Sequence, residues 1–124
     1  MASRPILSPF PVITNGNMAG SLTSVVTVIQ NTSMLSYAMV WAGTSPVGQI
    51  SVQVSNDYSQ NADGTVANAG TWSTLPLSAS TSVTGNSGVG FIDIDLISAY
   101  AIRLVYTAGS GTGTLNATIT GKVA

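Results

Sequence analysis

The chain has 124 residues, enough for one domain with a buried core, and 44 % of them are hydrophobic while only 6 % are charged. The net charge of −1 and three scattered cations, Arg4, Arg103 and Lys122, predict no basic surface that could neutralise several phosphates, so we expect no nucleic-acid partner. Without histidine or cysteine, the sequence excludes a serine–histidine nucleophile, a thiolate metal site and a disulfide framework.

Uncharged polar residues must cover most of the surface. Such side chains cost less to desolvate than ions do, so this composition favours a protein that is covered by neighbouring subunits. The most apolar stretch, MLSYAMVWA at 34–42, falls far short of the roughly 18 apolar residues that span a bilayer, so we expect no membrane partner.

The first 17 residues predict an extended arm. Three prolines each remove a backbone donor and bias the preceding residue towards extended geometry. We therefore predict an arm over 1–17 and a β domain over 18–124. The arm residues that we expect to contact other subunits are Arg4, Pro5, Ile6, Leu7, Pro9, Phe10 and Pro11.

The rest of the chain alternates short runs of β-branched and aromatic residues with clusters of Gly, Asn, Ser and Pro, a pattern typical of strands and turns. No helical periodicity is sustained, so we predict an all-β, antiparallel β-sandwich of about eight strands, similar to a jelly roll. The glycine-rich AGSGTG at 108–113 predicts a hairpin between the last two strands. The predicted strands are 21–30, 34–42, 49–55, 71–75, 80–84, 89–96, 100–108 and 113–122.

Two of the four carboxylates lie in FIDIDL, residues 91–96. The two-residue period of a strand places Asp93 and Asp95 on one face, beside Phe91, and the isoleucines on the other. Glycosidases place two acids on opposite sides of a substrate in a cleft, whereas two acids along one strand flank nothing. We therefore interpret the pair as the solvated face of a strand, with a hydrolase as the least favoured alternative.

The loop SNDYSQNADG, 55–64, is a candidate calcium site. Asn56, Asp57, Asn61 and Asp63 supply oxygen ligands of the kind that calcium accepts, but their spacing matches no EF-hand loop and the bidentate glutamate is missing. Asx and Gly residues also build ordinary turns. We predict turns and no metal, and calcium binding stays open as the alternative.

Six aromatic residues are candidates for a sugar-stacking platform, because each ring offers an apolar face with a polar edge. In a small sandwich most aromatic residues belong to the core, which is the competing interpretation. The six are Tyr37, Trp41, Tyr58, Trp72, Tyr100 and Tyr106.

Three stretches carry a family resemblance: VQVSND at 52–57, TWSTLP at 71–76, and YAIRLVYTAGSGTGTLNATITGK at 100–122. In this succession the chain resembles small β-sandwich virion proteins of tailed bacteriophages, of the head decoration or minor capsid type. A weaker similarity to discoidin-like sandwiches lies in SND and IRL, although the long ligand-gripping loops of that family are missing.

The resemblance implies a virion component and not an enzyme, without a cofactor. Its expected partners are other virion proteins, either the major capsid protein or copies of itself in a homo-oligomer. The alternative is a carbohydrate-binding module of a phage tail or fibre, which would recognise a host glycan through Trp72 or Tyr58 near the Asx-rich loop.

Overall fold

The computed structural model describes residues 5–29, 34–76, 82–94 and 99–122. These residues contain strands and no helix, and eight of the strands form one antiparallel sheet while two form a small separate sheet, which confirms the predicted all-β fold class. The strands are β1 (Pro5–Asn17), β2 (Leu22–Thr23), β3 (Thr27–Val28), β4 (Met34–Ser55), β5 (Ser59–Gln60), β6 (Val66–Asn68), β7 (Ser73–Thr74), β8 (Ser82–Val83), β9 (Ser87–Ile94) and β10 (Ala101–Lys122).

Two long strands form the spine of the large sheet. Strands β4 and β10 pair antiparallel over their whole length, from Ala101 opposite Ser55 to Lys122 opposite Met34. In what we call the first half, β1 pairs with the end of β10 and β9 pairs with the start of β4. In the second half, β2 and β3 pair with the start of β10, and β7 and β8 pair with the end of β4.

The two halves share one hydrophobic core, so the sheet folds over and its halves face each other. The N–H of Val25 also donates to the carbonyl oxygen of Val12 over 3.2 Å and joins a loop of the second half to β1. Buried side chains from the first half include Val12, Ile13, Tyr37, Met39, Trp41, Ile92, Leu115 and Ile119, and those from the second half include Ile50, Val52, Val83, Ile102, Leu104 and Tyr106.

The predicted hairpin at 108–113 is wrong, because β10 continues through these residues and stays paired with β4. Its register shifts between Ala108 and Thr112, and Gly111 takes a φ of 78°. A Cβ on Gly43, on the facing strand, would overlap the backbone at Thr112 and Gly113. Glycine here therefore permits a close approach and a bend in two paired strands, where the composition had predicted a turn.

Other strand boundaries differ from the prediction because pairing partners, and not local composition, define them. The predicted strands 34–42 and 49–55 are the two ends of β4, while the described part of 21–30, residues 21–29, contains only the short β2 and β3. The small sheet of β5 and β6 was not predicted. Its three- and two-residue strands are too short to show a period.

The segment predicted as an arm is extended and pairs with β10 of its own chain. The register runs from Pro5 opposite Lys122 to Asn17 opposite Thr114, with four shifts on the way. Val12 and Ile13 of this segment are 4 % and 7 % exposed and belong to the core. The role of 1–17 as a separate arm stays a prediction.

Candidate interaction surface

The first half of the sheet has β1 at one edge and β9 at the other. Among the described residues, β9 pairs with β4 alone, in unbroken register from Leu35 opposite Ile94 to Ala42 opposite Ser87. The backbone donors and acceptors on its other side therefore face away from the sheet. Such an edge can receive a further strand.

The middle of the outward face of β9 is apolar. Val89 and Phe91 are 76 % and 63 % exposed, while Ile92 and Ile94 are buried, which confirms the alternation predicted for this stretch. Large apolar side chains gain free energy when a partner removes them from water, by roughly 25 cal/mol per Å². Val89 and Phe91 are therefore the most favourable side chains on this strand for a partner to cover.

Strand β4 extends this apolar surface. Val40, which is 54 % exposed, lies directly opposite Val89, and the exposed Ala38 lies opposite Phe91. We call these four residues the β9 patch. A contiguous exposed apolar group of this kind marks interaction sites more often than scattered single residues do. An open cleft of about 350 Å³, lined in part by Phe91, Asp93 and Leu35, lies beside the patch.

Two glycines shape β9 from the core side. Gly88 lies opposite Trp41 and Gly90 lies opposite Met39. A Cβ on Gly88 would overlap the Trp41 ring, and a Cβ on Gly90 would come within 2.9 Å of Met39 Cε. Large side chains of β4 thus cover the glycine positions, which keeps β9 in contact with its neighbour although it lacks side chains there.

Of the two acids in FIDIDL, Asp93 is exposed on the same face as Phe91, as predicted, and lies opposite Ser36. Asp95 lies outside the described residues. Asp93 is the one carboxylate among the residues that line the neighbouring cleft. General acid–base hydrolysis by two carboxylates therefore has no second acid among the described residues there.

The predicted arm residues that the structure describes lie along the opposite edge. Arg4 lies outside the described residues, and the backbone of Pro5, Ile6 and Leu7 belongs to β1. Pro9 and Pro11 are exposed, as is Phe10, at 49 %. Their role as contact residues stays a prediction.

The candidate calcium loop uses its carboxylates as hydrogen-bond acceptors within turns. Asp57 Oδ1 accepts from the backbone N–H of Thr71 over 2.7 Å and from the Ser55 hydroxyl over 2.8 Å. The Thr71 N–H is the main cause of the lowered pKa of Asp57, and the Ser55 hydroxyl adds to it. These hydrogen bonds favour the ionised carboxylate, so the loop is held more firmly when Asp57 is charged.

The other three candidate ligands also make hydrogen bonds with the protein itself. The Thr65 hydroxyl and then its N–H lower the pKa of Asp63, while Asn56 Oδ1 accepts from the N–H of Tyr100 over 3.0 Å and Asn61 donates to Thr65. Within the described part of the chain, no group of three or more acidic side chains that could hold a metal ion is found. Asp63 forms an Asx turn, because its Oδ1 accepts from the N–H of Thr65, two residues further on, over 3.0 Å.

The aromatic residues proposed as a sugar platform do not share one surface. Tyr37, Trp41, Tyr58 and Tyr106 are buried, while Trp72 and Tyr100 are half-buried. The guanidinium carbon of Arg103 lies 4.2 Å from the centre of the Trp72 ring and covers one of its faces. The Tyr58 ring packs at 5.9 Å and 56° to Trp72.

The contact between Arg103 and Trp72 was not predicted. Arg103 Nε donates to Gln53 Oε1 over 2.8 Å, which holds the guanidinium against the ring in a cation–π contact. A polar groove of about 380 Å³ lies next to it, lined by Asn56, Asp57 and Thr71 among others. The alternation of the strand correctly predicts that Arg103 points to the other face of the sheet from Ile102 and Leu104. The neighbouring sequence does not show which aromatic residue Arg103 contacts.

The described residues include no helix with the length and hydropathy of a membrane span.

No protein-family model matches the chain, and no curated protein matches it. Among solved structures, it is similar to the crystal structure of the SPBc2 prophage-derived protein YomS, with a TM-score of 0.49 and 12 % sequence identity. The alignment covers 98 % of this chain and 98 % of that one.

Proposed function

We propose that this chain is a structural protein of a bacteriophage virion, a capsid decoration or minor capsid component that acts through contacts with other virion proteins. The observation that carries the proposal is the β9 patch. Val89 and Phe91, on a strand with an open edge, are more than half exposed. A surface of this kind gains free energy by being covered.

The composition supports the same proposal. Only 6 % of the residues are charged, and Asp93 is the one charged residue on the described part of β9. A partner that covers Val89 and Phe91 therefore has a single charge, Asp93, to leave in water or to pair, and burying an unpaired charge would be costly. Repetition by symmetry in a shell strengthens such contacts through multivalency.

The sequence resemblance narrows the class of partner. The three matching stretches, 52–57, 71–76 and 100–122, resemble small phage virion proteins, and the structure places most of these residues in the second half of the sheet and in β10. Most of them belong to β4, β7 and β10, and β4 in turn pairs with β9. The proposed partners are the major capsid protein and further copies of this chain.

The proposal includes no enzymatic activity. Asp93 and the pair Asp57 and Asp63 serve as a strand-face charge and as turn acceptors in the described geometry. Glycan recognition gains no support from the two aromatic residues proposed for it. Tyr58 is buried, and Arg103 already covers one face of the Trp72 ring.

The proposal is tested on purified particles of the phage that encodes the chain. Mass spectrometry of the particles should find the chain in a fixed ratio to the major capsid protein, and particles stripped of it should rebind the recombinant chain. Phe91→Lys should abolish rebinding because it places a charge in the patch. Val66→Lys is the matched control, since Val66 is 54 % exposed in the separate small sheet.

Absence of the chain from purified particles would refute the proposal. Equal rebinding by the Phe91→Lys and Val66→Lys variants would refute the role of the β9 patch in it. A glycan array that binds the chain and loses the signal on Trp72→Ala would favour the carbohydrate-binding alternative.

A further inference from the structure

We infer that β9 pairs antiparallel with β9 of a second copy of this chain, about a two-fold axis that passes beside Gly90. The inference rests on the proposed function only in treating the β9 patch as an interaction surface, and it names the occupant of that surface. The pairing would join the first halves of two copies into one continuous sheet.

Within β9, most of the features that usually prevent strand addition are missing. Protein edges are guarded by prolines, lysines, bulges or very short strands. Strand β9 has eight residues, SGVGFIDI, with no proline and no lysine, and it shows no register shift against β4. Its one charged residue in the described range, Asp93, lies near the end of the strand.

The alternation of β9 limits how two copies can pair. Residues directly opposite in an antiparallel pair point to the same side of the sheet. A two-fold axis beside any one residue pairs odd-numbered positions with odd-numbered ones, so exposed side chains meet exposed ones and buried side chains meet buried ones. Two copies of β9 therefore match each other in their alternation of exposed and buried side chains. An unrelated strand matches β9 only if its own sequence alternates in the same way.

Two such registers give the longest overlap, residues 87–93 about Gly90 or 88–94 about Phe91. About Phe91, Val89 would lie opposite Asp93 of the second copy, so an apolar side chain would contact a carboxylate. About Gly90, Val89 lies opposite Phe91 of the second copy, and Ser87 lies opposite Asp93.

The Gly90 register matches each outward side chain with a suitable partner. Two Val–Phe pairs bring the most exposed apolar side chains of the strand into cross-strand contact, and each Ser87 hydroxyl can donate to an Asp93 carboxylate. No two like charges are opposite each other among the described residues. Because Gly90 faces itself across the axis, no side chain is crowded there.

The test uses the absence of cysteine from the chain, which makes introduced thiols the only ones present. Opposite residues of an antiparallel pair have Cβ atoms about 4.5–5.5 Å apart, diagonal ones roughly 7–8 Å, and a disulfide needs about 3.5–4.5 Å. Only directly opposite positions should therefore cross-link under mild oxidation.

Val89→Cys and Phe91→Cys are prepared as separate chains with tags of different mass, each checked for folding by circular dichroism. Mixing the two should give the mixed disulfide-linked dimer in at least tenfold excess over the dimer of either chain alone. Val66→Cys mixed with Phe91→Cys is the control and should give only background cross-linking.

Predominant self-linking of the Val89→Cys chain or of the Phe91→Cys chain would overturn the Gly90 register. Absence of any cross-link above the control, together with a monomer mass for the unmodified chain at high concentration, would overturn the pairing itself. A monomer that is nevertheless found in particles would overturn this inference and leave the proposed function standing. A chain that forms the cross-linked dimer but is absent from particles would refute the proposed function and leave the pairing of β9 standing.

Discussion

Strands β1 and β9 form the two edges of the first half of the sheet, and they differ in what each offers to another strand. Strand β1 carries prolines at its exposed positions 9 and 11 and shifts register four times against β10. Strand β9 is regular, has no proline and exposes Val89 and Phe91. In an edge strand, the nitrogen of a proline, which has no N–H, faces away from the neighbouring strand. Pro9 and Pro11 therefore remove hydrogen-bond donors from the outer side of β1, where a further strand would have to pair.

The two edges therefore have different roles. Strand β1 closes the core with Val12 and Ile13 and presents an interrupted edge. Strand β9 also contributes Ile92 and Ile94 to the core, but its outer side is regular and apolar. The N-terminal segment is thus expected to matter most for folding, and β9 for association.

The largest effect is expected from deleting residues 1–17. Loss of the buried Val12 and Ile13 removes about 1.5–3 kcal/mol each, so the free energy of unfolding should fall by roughly 3–6 kcal/mol, and the edge of β10 is uncovered as well. Urea denaturation followed by circular dichroism measures the loss. Phe91→Lys is the comparison, since it changes an exposed side chain and should leave the free energy of unfolding nearly unchanged. Equal stability of the truncated and full chains would contradict the assigned role of β1.

The next largest effect is expected at Gly88. In Gly88→Ala the new Cβ meets the Trp41 ring, so the free energy of unfolding should fall by about 1–3 kcal/mol through overpacking. Gly20→Ala is the matched control, because a Cβ at Gly20 has nothing within 4 Å. Thermal unfolding of both variants makes the comparison, and an equal effect at the two positions would show that the Trp41 ring does not lie over Gly88.

These effects separate what the sequence could predict from what it could not. The all-β class, the outward Phe91 and Asp93 and the inward isoleucines of β9 follow from local alternation. Pairing partners do not, since the bend of β4 and β10 has the same glycine signal as a hairpin. For the same reason the packing of Trp41 on Gly88 and of Arg103 on Trp72 emerged only in the folded chain, where strands distant in sequence come together.

A smaller effect of opposite sign is expected at Tyr37. This residue lies on β4 between the two edges, opposite Ile92 and Ile119, and its hydroxyl is buried without a hydrogen-bond partner among the described residues. Burial also raises the pKa of Tyr37. Removing an unsatisfied buried hydroxyl avoids its desolvation cost, so Tyr37→Phe should stabilise the fold by about 1 kcal/mol without changing association.

Tyr58→Phe is the control for Tyr37→Phe. The Tyr58 hydroxyl accepts from Gln60 Nε2 over 2.9 Å, so its loss should lower the free energy of unfolding by about 0.5–1.5 kcal/mol. Urea titration of both variants distinguishes the two signs. Destabilisation by Tyr37→Phe would mean that its hydroxyl has a partner.

The smallest effect on stability per substitution, and the most informative about the edges, is expected from Pro9→Val combined with Pro11→Val. Loss of each proline should cost about 0.4–1 kcal/mol by freeing the unfolded chain. It also restores two N–H donors on the outer side of β1, so the variant should associate more strongly than the unmodified chain in sedimentation velocity. Unchanged association would show that the prolines do not guard this edge.

Hydrogen exchange of the unmodified chain, measured by mass spectrometry at low and high concentration, tests most directly which edge receives another copy. We predict that amide protection rises with concentration in peptides covering 87–94 and stays constant in those covering 5–17, and that Phe91→Lys removes the rise. Protection that is independent of concentration in 87–94, or that rises in 5–17 instead, would contradict the association of two copies through β9.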